Sequence, residues 1–177
     1  MSQYHLLVGT YTSGSSDGIH HFCLNCAPFE CLDSSLTTAE NPSYLALSPC
    51  GHYVHATHEV GADKEGSVSR YRLDAATGAL TLINTIFTRG SDPCHVHAAP
   101  DGQHLFVSNY ASGSLTIVPC SAQGYLQAPL AAVAYGGGSG AVPSRQGAAH
   151  VHFSTTAPDG RYLVVCDLGN DCLYCYP

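Results

Sequence analysis

The chain has 177 residues, of which 45% are hydrophobic and 11% charged, and its formal net charge at pH 7 is −7. Six basic residues in all argue against binding to nucleic acid through its phosphates. No stretch approaches the roughly 18 consecutive apolar residues of a membrane span, and the N-terminus lacks the basic and apolar regions of a signal peptide, so we expect a cytoplasmic chain without a membrane partner.

Three segments of the chain repeat one pattern, in which a short apolar strand, a turn with a glycine and a second strand of alternating apolar residues follow each other. The copies lie at 41–59, 91–110 and 148–168, with turn glycines Gly51, Gly102 and Gly160. A repeat of about 50 residues with no helical phase is typical of propeller blades. We therefore predict an all-β fold, a β-propeller of four-stranded antiparallel blades.

In chain order, the first predicted blade covers about 4–38 and lacks its innermost strand. Its strands are expected at 5–9, 18–24 and 29–36. The second blade covers about 41–88, with strands at 44–47, 53–57, 67–73 and 79–87. β-Branched residues and tight turns support each of these assignments.

The third predicted blade covers about 92–134 and the fourth, incomplete blade about 147–177. Their strands are expected at 96–98, 105–109, 114–118, 125–133, 162–166 and 172–176. This is a partial ring of about three and a half blades, whereas a closed ring needs at least four and often has seven. We expect such a half ring to aggregate or oligomerise, because two blade faces stay uncovered, and a complete ring to be a monomer.

Nine cysteines include two pairs with zinc-ribbon spacing, Cys23 with Cys26 and Cys172 with Cys175. Both pairs fall on predicted strands, where residues three apart point to opposite faces and cannot chelate one ion. We therefore expect free, mostly buried thiols and no metal at these pairs.

Histidine pairs precede two of the turns, His95 with His97 and His150 with His152. Residues two apart in a strand project to the same side, and the first strands of blades line the central channel, so both pairs are expected near its mouth. Three interpretations are open: a metal site, acid–base chemistry, or hydrogen bonds to the backbone of the next blade. For His97 we prefer the last.

The glycine-rich connection 136–147 carries Arg145 and Gln146 directly before the second histidine pair. A guanidinium is suited to a carboxylate or a phosphate, although a solvated loop arginine is the simpler interpretation. Asn109 lies in a turn where asparagine is explained by backbone geometry, and a functional role is the alternative.

Several motifs together resemble the seven-bladed propeller lactonases, the 6-phosphogluconolactonase and muconate cycloisomerase-like family. They are GTYT, NPSYLALSP with a following strand that ends at Glu59, PCHV, NYASGSLTI, and RQ followed by HVH and PDGRYLVVCDLG. The resemblance implies hydrolysis of 6-phospho-D-glucono-1,5-lactone to 6-phosphogluconate in the pentose phosphate pathway. It also implies a small phosphorylated sugar lactone as partner and no metal or organic cofactor.

The resemblance also implies site residues. The catalytic histidine falls on His152, with His150 as the adjacent candidate. Substrate-binding candidates are Arg145, Gln146, His95, Asn109 and Glu59. The family also uses an arginine and a glutamate from the following blade, so residues 1–177 alone are expected to be nearly inactive. Two positions depart from the family pattern, Cys50 for an aspartate and His58 for an asparagine.

Two alternative functions stay open at this point. One is a lactonising cycloisomerase that acts on a muconate, since arginine serves a carboxylate as well as a phosphate. The other is a non-catalytic propeller that serves as an interaction domain, because fold does not settle function. The absence of tryptophan weighs against the WD subtype of such domains.

Overall fold

The computed structural model describes residues 3–177, which form fourteen β-strands and, within that range, no helix. The strands are β1 (Gln3–Val8), β2 (Gly18–Cys26), β3 (Phe29–Thr38), β4 (Leu45–Leu47), β5 (Tyr53–His58), β6 (Ser67–Leu73), β7 (Leu80–Phe87), β8 (Pro93–Ala98), β9 (His104–Asn109), β10 (Ser114–Pro119), β11 (Ala131–Ala134), β12 (Val151–Thr156), β13 (Leu163–Asp167) and β14 (Cys172–Tyr176). None of the described residues belongs to a helix with the length and hydropathy needed to cross a bilayer.

The strands form four antiparallel sheets that share no strand pairing. Their orders are β1-β2-β3, β4-β5-β6-β7, β11-β10-β9-β8 and β12-β13-β14, and we call them blades 1 to 4. The edge strand β8 packs against both β4 and β12, so the first strands of successive blades lie side by side as in a propeller. The predicted all-β propeller fold is confirmed.

The fourth strand of blade 3 differs from the prediction. Instead of a strand over 125–133, an isolated bridge joins Cys120 to Leu126 and the paired strand begins only at Ala131. Pro129 interrupts the run because it has no N–H for a ladder hydrogen bond. The backbone of Leu126 is held by blade 2 instead: Asn84 Nδ2 donates to its carbonyl at 2.8 Å, and its N–H donates to Asn84 Oδ1 at 3.0 Å.

The hydrophobic core lies between blades, because every second side chain of a strand faces the neighbouring sheet. The clusters that join neighbouring blades are Ile19, Ala56 and Tyr71 between blades 1 and 2, Val68, Val96, Leu105, Val107, Val118 and Leu126 between blades 2 and 3, and Leu115, Val151 and Val165 between blades 3 and 4. Burial of these apolar side chains is the main attraction between sheets that share no backbone ladder.

The outward faces of blades 1 and 4 carry exposed apolar side chains. Tyr4 and Leu6 of β1 are exposed, whereas Leu7, the residue after Leu6, packs toward blade 2. Phe29 is 78% exposed and Leu173 of β14 is 71% exposed. Association of the chain through these faces stays a prediction.

All nine cysteines are free thiols, and none of them is buried: five are exposed and four are partly exposed. The expectation of mostly buried thiols was therefore wrong. Cys172 and Cys175 are exposed and lie on β14, an edge strand of blade 4. Within residues 3–177, no three histidine, cysteine or acidic side chains are grouped as a metal site.

Burial keeps two imidazoles of this fold neutral. His55 is 1% exposed, and desolvation with the nearby positive charge of Arg70 lowers its pKa to about 3. His95 lies between the rings of Tyr44 and Phe153, at centroid distances of 4.4 and 4.3 Å. Desolvation, and to a lesser degree neighbouring imidazoles, lower the pKa of His95 to about 4. Both side chains therefore bind fewer protons in the folded than in the unfolded state.

The free energy of unfolding is expected to fall as the pH is lowered below about 6.5, the usual imidazole pKa. Each lowered pKa contributes stability that is fully present above that pH and is lost as the pH falls toward the folded value. His95 alone contributes a loss of about 3 kcal/mol when the pH reaches 4. Urea denaturation at several pH values between 7 and 4 measures this loss of stability. His95→Phe, which keeps an aromatic ring but cannot titrate, is expected to flatten this dependence, and an unchanged slope would contradict the assignment.

Candidate active site

A cavity of about 400 Å³ opens at one end of the blades, where strand ends from all four sheets meet. It is lined by Tyr11, Ser43, Glu59, Cys94, Tyr110, Arg145 and His152. Tyr11, Glu59 and Tyr110 follow the ends of β1, β5 and β9. Ser43 lies before β4, Cys94 and His152 lie at the starts of β8 and β12, and Arg145 lies in the connection to blade 4. This common end of the sheets is where a propeller channel has its mouth.

Tyr110 connects the two residues with the clearest chemical potential in this cavity. Its hydroxyl oxygen accepts a hydrogen bond from Arg145 Nη2 at 3.1 Å. Its ring meets the His152 ring edge-on, with centroids 5.7 Å apart and an interplanar angle of 90°. The cavity thus holds an exposed imidazole and an exposed guanidinium on one tyrosine, which suits acid–base chemistry next to an anion site.

His150, the adjacent catalytic candidate, does not line the cavity. Its Nδ1 donates to the carbonyl of Tyr110 at 3.0 Å, and its ring stacks on the Tyr110 ring at 4.3 Å and 11°. Both imidazoles contact the Tyr110 ring, but they do so differently, because His150 precedes β12 and the pairing of β12 with β13 shifts register between Val151 and Phe153. The structure therefore separates the two histidines: His152 faces the cavity and His150 supports Tyr110.

Glu59 faces Tyr11 across the cavity wall. The Tyr11 hydroxyl donates to Glu59 Oε2 at 2.9 Å. Desolvation and this hydrogen bond to a carboxylate raise the pKa of Tyr11 to about 12, so the phenol stays protonated near neutral pH. The pair gives the cavity one negative group, which Asn41 fixes by donating from Nδ2 to the Glu59 carbonyl at 2.9 Å.

The residue before Glu59, which departs from the family pattern, is part of the same support. His58 is buried, with its Nδ1 2.7 Å from the Glu40 carbonyl and its Nε2 2.6 Å from Ser69 Oγ. Both ring nitrogens are thus satisfied, and desolvation lowers the pKa of the imidazole. The histidine at this position fixes the end of β5 from which Glu59 projects.

Cys94 forms part of the cavity wall at the contact between blades 3 and 4. Its thiol can donate its one hydrogen to the carbonyl oxygen of His152 at 3.5 Å, and the carbonyl oxygens of Ser108 and Val151 lie at 3.7 and 3.8 Å. Desolvation and the nearby charge of Glu59 raise the pKa of this thiol to about 12. The raised pKa keeps the thiol neutral near pH 7, and its contacts with carbonyls of both blades join blades 3 and 4.

Gln146, predicted to bind substrate, lies outside the cavity. Its Oε1 accepts from the backbone N–H of Val142 at 2.7 Å, and its Nε2 donates to the Leu168 carbonyl at 2.9 Å and to Asp171. The side chain is buried and its polar atoms are engaged. Gln146 therefore anchors the glycine-rich connection on blade 4, and it positions the neighbouring Arg145 without facing a ligand.

The predicted binding residue His95 is also outside the cavity. It is 4% exposed, and its Nδ1 accepts from the backbone N–H of Ser154 in the next blade at 3.4 Å. Its partner His97 makes the same kind of contact, since its Nε2 accepts from the N–H of Thr156 at 3.1 Å. The preferred interpretation of His97 is confirmed, and it extends to His95.

Asn109 is fully buried and does not reach the cavity. Its Nδ2 donates to Thr116 Oγ1 at 3.0 Å and to Ser114 Oγ at 3.2 Å. The turn interpretation of Asn109 therefore fits the structure, and the cavity residue of that turn is the next one, Tyr110.

Four of the residues that line the cavity were not predicted from the sequence. They are Tyr11, Ser43, Cys94 and Tyr110. Each lies within a motif quoted above: Tyr11 in GTYT, Ser43 in NPSYLALSP, Cys94 in PCHV and Tyr110 in NYASGSLTI. Their position at strand ends on the channel side was the available signal.

Comparison with known proteins shows which family these motifs belong to. A model of the seven-bladed β-propeller lactonases matches residues 5–177. The chain belongs to this lactonase family. A 6-phosphogluconolactonase of Bacillus subtilis is 34% identical over 178 residues, an alignment that covers 99% of this chain and 50% of that protein. The chain spans about half the length of the curated relatives it matches.

Solved lactonase structures agree with this placement. A structure assigned as a 6-phosphogluconolactonase from Bacteroides fragilis superimposes with a TM-score of 0.92 at 36% identity, covering 98% of this chain and 48% of that one. A periplasmic gluconolactonase from Pseudomonas aeruginosa gives a TM-score of 0.90 at 33% identity and covers 99% of this chain and 50% of that one. The two neighbours share the lactonase fold and differ in the lactone that their names specify.

Proposed function

We propose that the whole protein hydrolyses 6-phospho-D-glucono-1,5-lactone to 6-phosphogluconate, a step of the pentose phosphate pathway. Membership of the lactonase family over residues 5–177 supports an ester hydrolase. The observation that carries the proposal is the cavity in which His152 and Arg145 both contact Tyr110. The imidazole of His152 can transfer protons, and the guanidinium of Arg145 can bind an anion.

In the proposed reaction, His152 acts as the base and then as the acid. Its imidazole accepts a proton from water as the water oxygen attacks the lactone carbonyl carbon. It then donates that proton to the ring oxygen as the bond between the carbonyl carbon and the ring oxygen breaks. The exposure of His152 in the cavity supports this role, because a bound substrate and a water can both reach it.

Arg145 is proposed to bind the phosphate. One N–H of its guanidinium is used by the Tyr110 hydroxyl, and the other donors of this exposed side chain are available to phosphate oxygens. Glu59 repels an anion, so we propose that the sugar hydroxyls face Glu59 and the phosphate faces Arg145. This polarity orients the lactone carbonyl in the cavity.

The alternatives are not favoured. The relatives described above are named lactonases, which neither a muconate cycloisomerase nor a non-catalytic interaction domain would predict. A cavity with both an imidazole and a guanidinium also fits catalysis better than a purely structural platform.

The test compares the initial rates of ring opening of 6-phosphogluconolactone and gluconolactone by the whole protein, each corrected for spontaneous hydrolysis. We expect kcat/KM to be at least about tenfold higher for the phosphorylated lactone, since a hydrogen bond to a charged group contributes about 1.5 to 3 kcal/mol. Added chelator is expected to leave the rate unchanged. Equal rates would reject the phosphate site, and no turnover of either lactone would reject the function.

A further inference from the structure

The backbone of Tyr110 is held on both sides of the residue. Its N–H donates to the Asp92 carbonyl at 2.8 Å, and its carbonyl accepts from His150 Nδ1 at 3.0 Å. Asp92 has a φ of 50°, an unfavourable value for a residue other than glycine, and its Oδ1 accepts from the N–H of Gly61 at 2.7 Å. Contacts to blades 2 and 4 therefore fix one residue of blade 3.

The side chain of Tyr110 is fixed as firmly as its backbone. Its ring is covered on one face by His150, and its hydroxyl oxygen is bound by Arg145. Stacking of this kind restricts a tyrosine to one orientation. The perpendicular contact between the Tyr110 and His152 rings thus has a defined geometry.

Arg145 depends on this tyrosine for its direction. The base of its loop is anchored, because the Arg145 N–H donates to the Val142 carbonyl at 2.9 Å and Gln146 is fully bonded. Beyond that base the side chain is exposed, and the hydrogen bond that the structure shows for its guanidinium goes to Tyr110. A long side chain with one polar anchor loses its orientation when that anchor is removed.

We infer that Tyr110 is a positioning residue that sets the preference for phosphorylated over neutral lactones, an inference that rests on the proposed function. Its hydroxyl holds Arg145 toward the cavity, where the guanidinium meets the phosphate. Its ring contacts His152 and orients this imidazole toward the lactone carbonyl. The hydroxyl of Tyr110 thus serves the phosphate of the substrate, and its ring serves the lactone carbonyl. Two substitutions of Tyr110 separate these two effects.

Tyr110→Phe keeps the ring and removes the hydroxyl. We expect the KM for 6-phosphogluconolactone to rise about tenfold with kcat within about twofold, because a ground-state contact is weakened. The KM for gluconolactone, which has no phosphate, is expected to stay unchanged. Tyr110→Leu also removes the ring and is expected to lower kcat for both lactones about tenfold or more.

Tyr135→Phe is the matched control, since its hydroxyl bonds Tyr176 at 2.8 Å away from the cavity. It is expected to leave both lactone rates unchanged. Thermal unfolding of each variant checks that the fold is retained. A Tyr110→Phe protein with unchanged KM, or with KM raised equally for both lactones, would overturn the inference alone. A wild-type protein that opens neither lactone would overturn the proposed function and this inference together.

Discussion

Replacing His152 with alanine is expected to lower kcat for lactone hydrolysis by roughly 10²-fold or more, the usual cost of losing a general acid–base group. KM is expected to change little, because the proposed role of the imidazole is proton transfer and not anion binding. The side chain is exposed, so its removal creates no buried void. Stopped assays of 6-phosphogluconate formation, corrected for spontaneous opening, measure the effect.

His52→Ala provides the control for that variant. His52 is an exposed histidine in the turn before β5, at the end of blade 2 opposite the cavity, and its backbone carbonyl accepts from the N–H of Leu73. Its activity is expected to match wild type. If His152→Ala also matches wild type, the proton transfers belong to another group.

Replacing Arg145 with alanine is expected to raise the KM for 6-phosphogluconolactone roughly 10- to 100-fold, since hydrogen bonds to a charged group contribute about 1.5 to 3 kcal/mol. Arg145→Lys is expected to fall between alanine and wild type, because an ammonium keeps the charge but lacks the planar fork. Steady-state kinetics of each variant with both lactones measure these changes in KM. A KM that is unaffected by alanine, or affected equally for gluconolactone, would place the phosphate elsewhere.

The fold was predictable because blades 2, 3 and 4 each contain a recognisable turn between their first two strands. Gly51, Gly102 and Gly160 all have positive φ in their turns, near 70°, where glycine is the least strained residue. Alternating apolar residues between these turns define the strands. The failure at 125–133 has a local cause, since a proline within an otherwise strand-like segment breaks its ladder.

The candidate site was predictable in part. His152, Arg145 and Glu59 were recognised from motifs, and all three line the cavity. The role of Gln146 was hidden because sequence does not show whether a polar side chain is used by its own fold. The contact of His150 with Tyr110 was not predicted, because strand alternation fails at an irregularity in the pairing of β12 with β13 that the residues of HVH do not show.

The separation of the four sheets has a consequence for how this cavity changes. Each sheet contributes to the cavity rim, yet no ladder joins one sheet to the next. The width of the cavity is therefore set by the tilt of each blade about its neighbours, which side chains such as Leu115 and Val165 determine between blades 3 and 4. A change of volume at such a position tilts a whole blade and moves rim residues that it never touches. A substitution in the core can thus change the size of the cavity while every residue that lines it is retained.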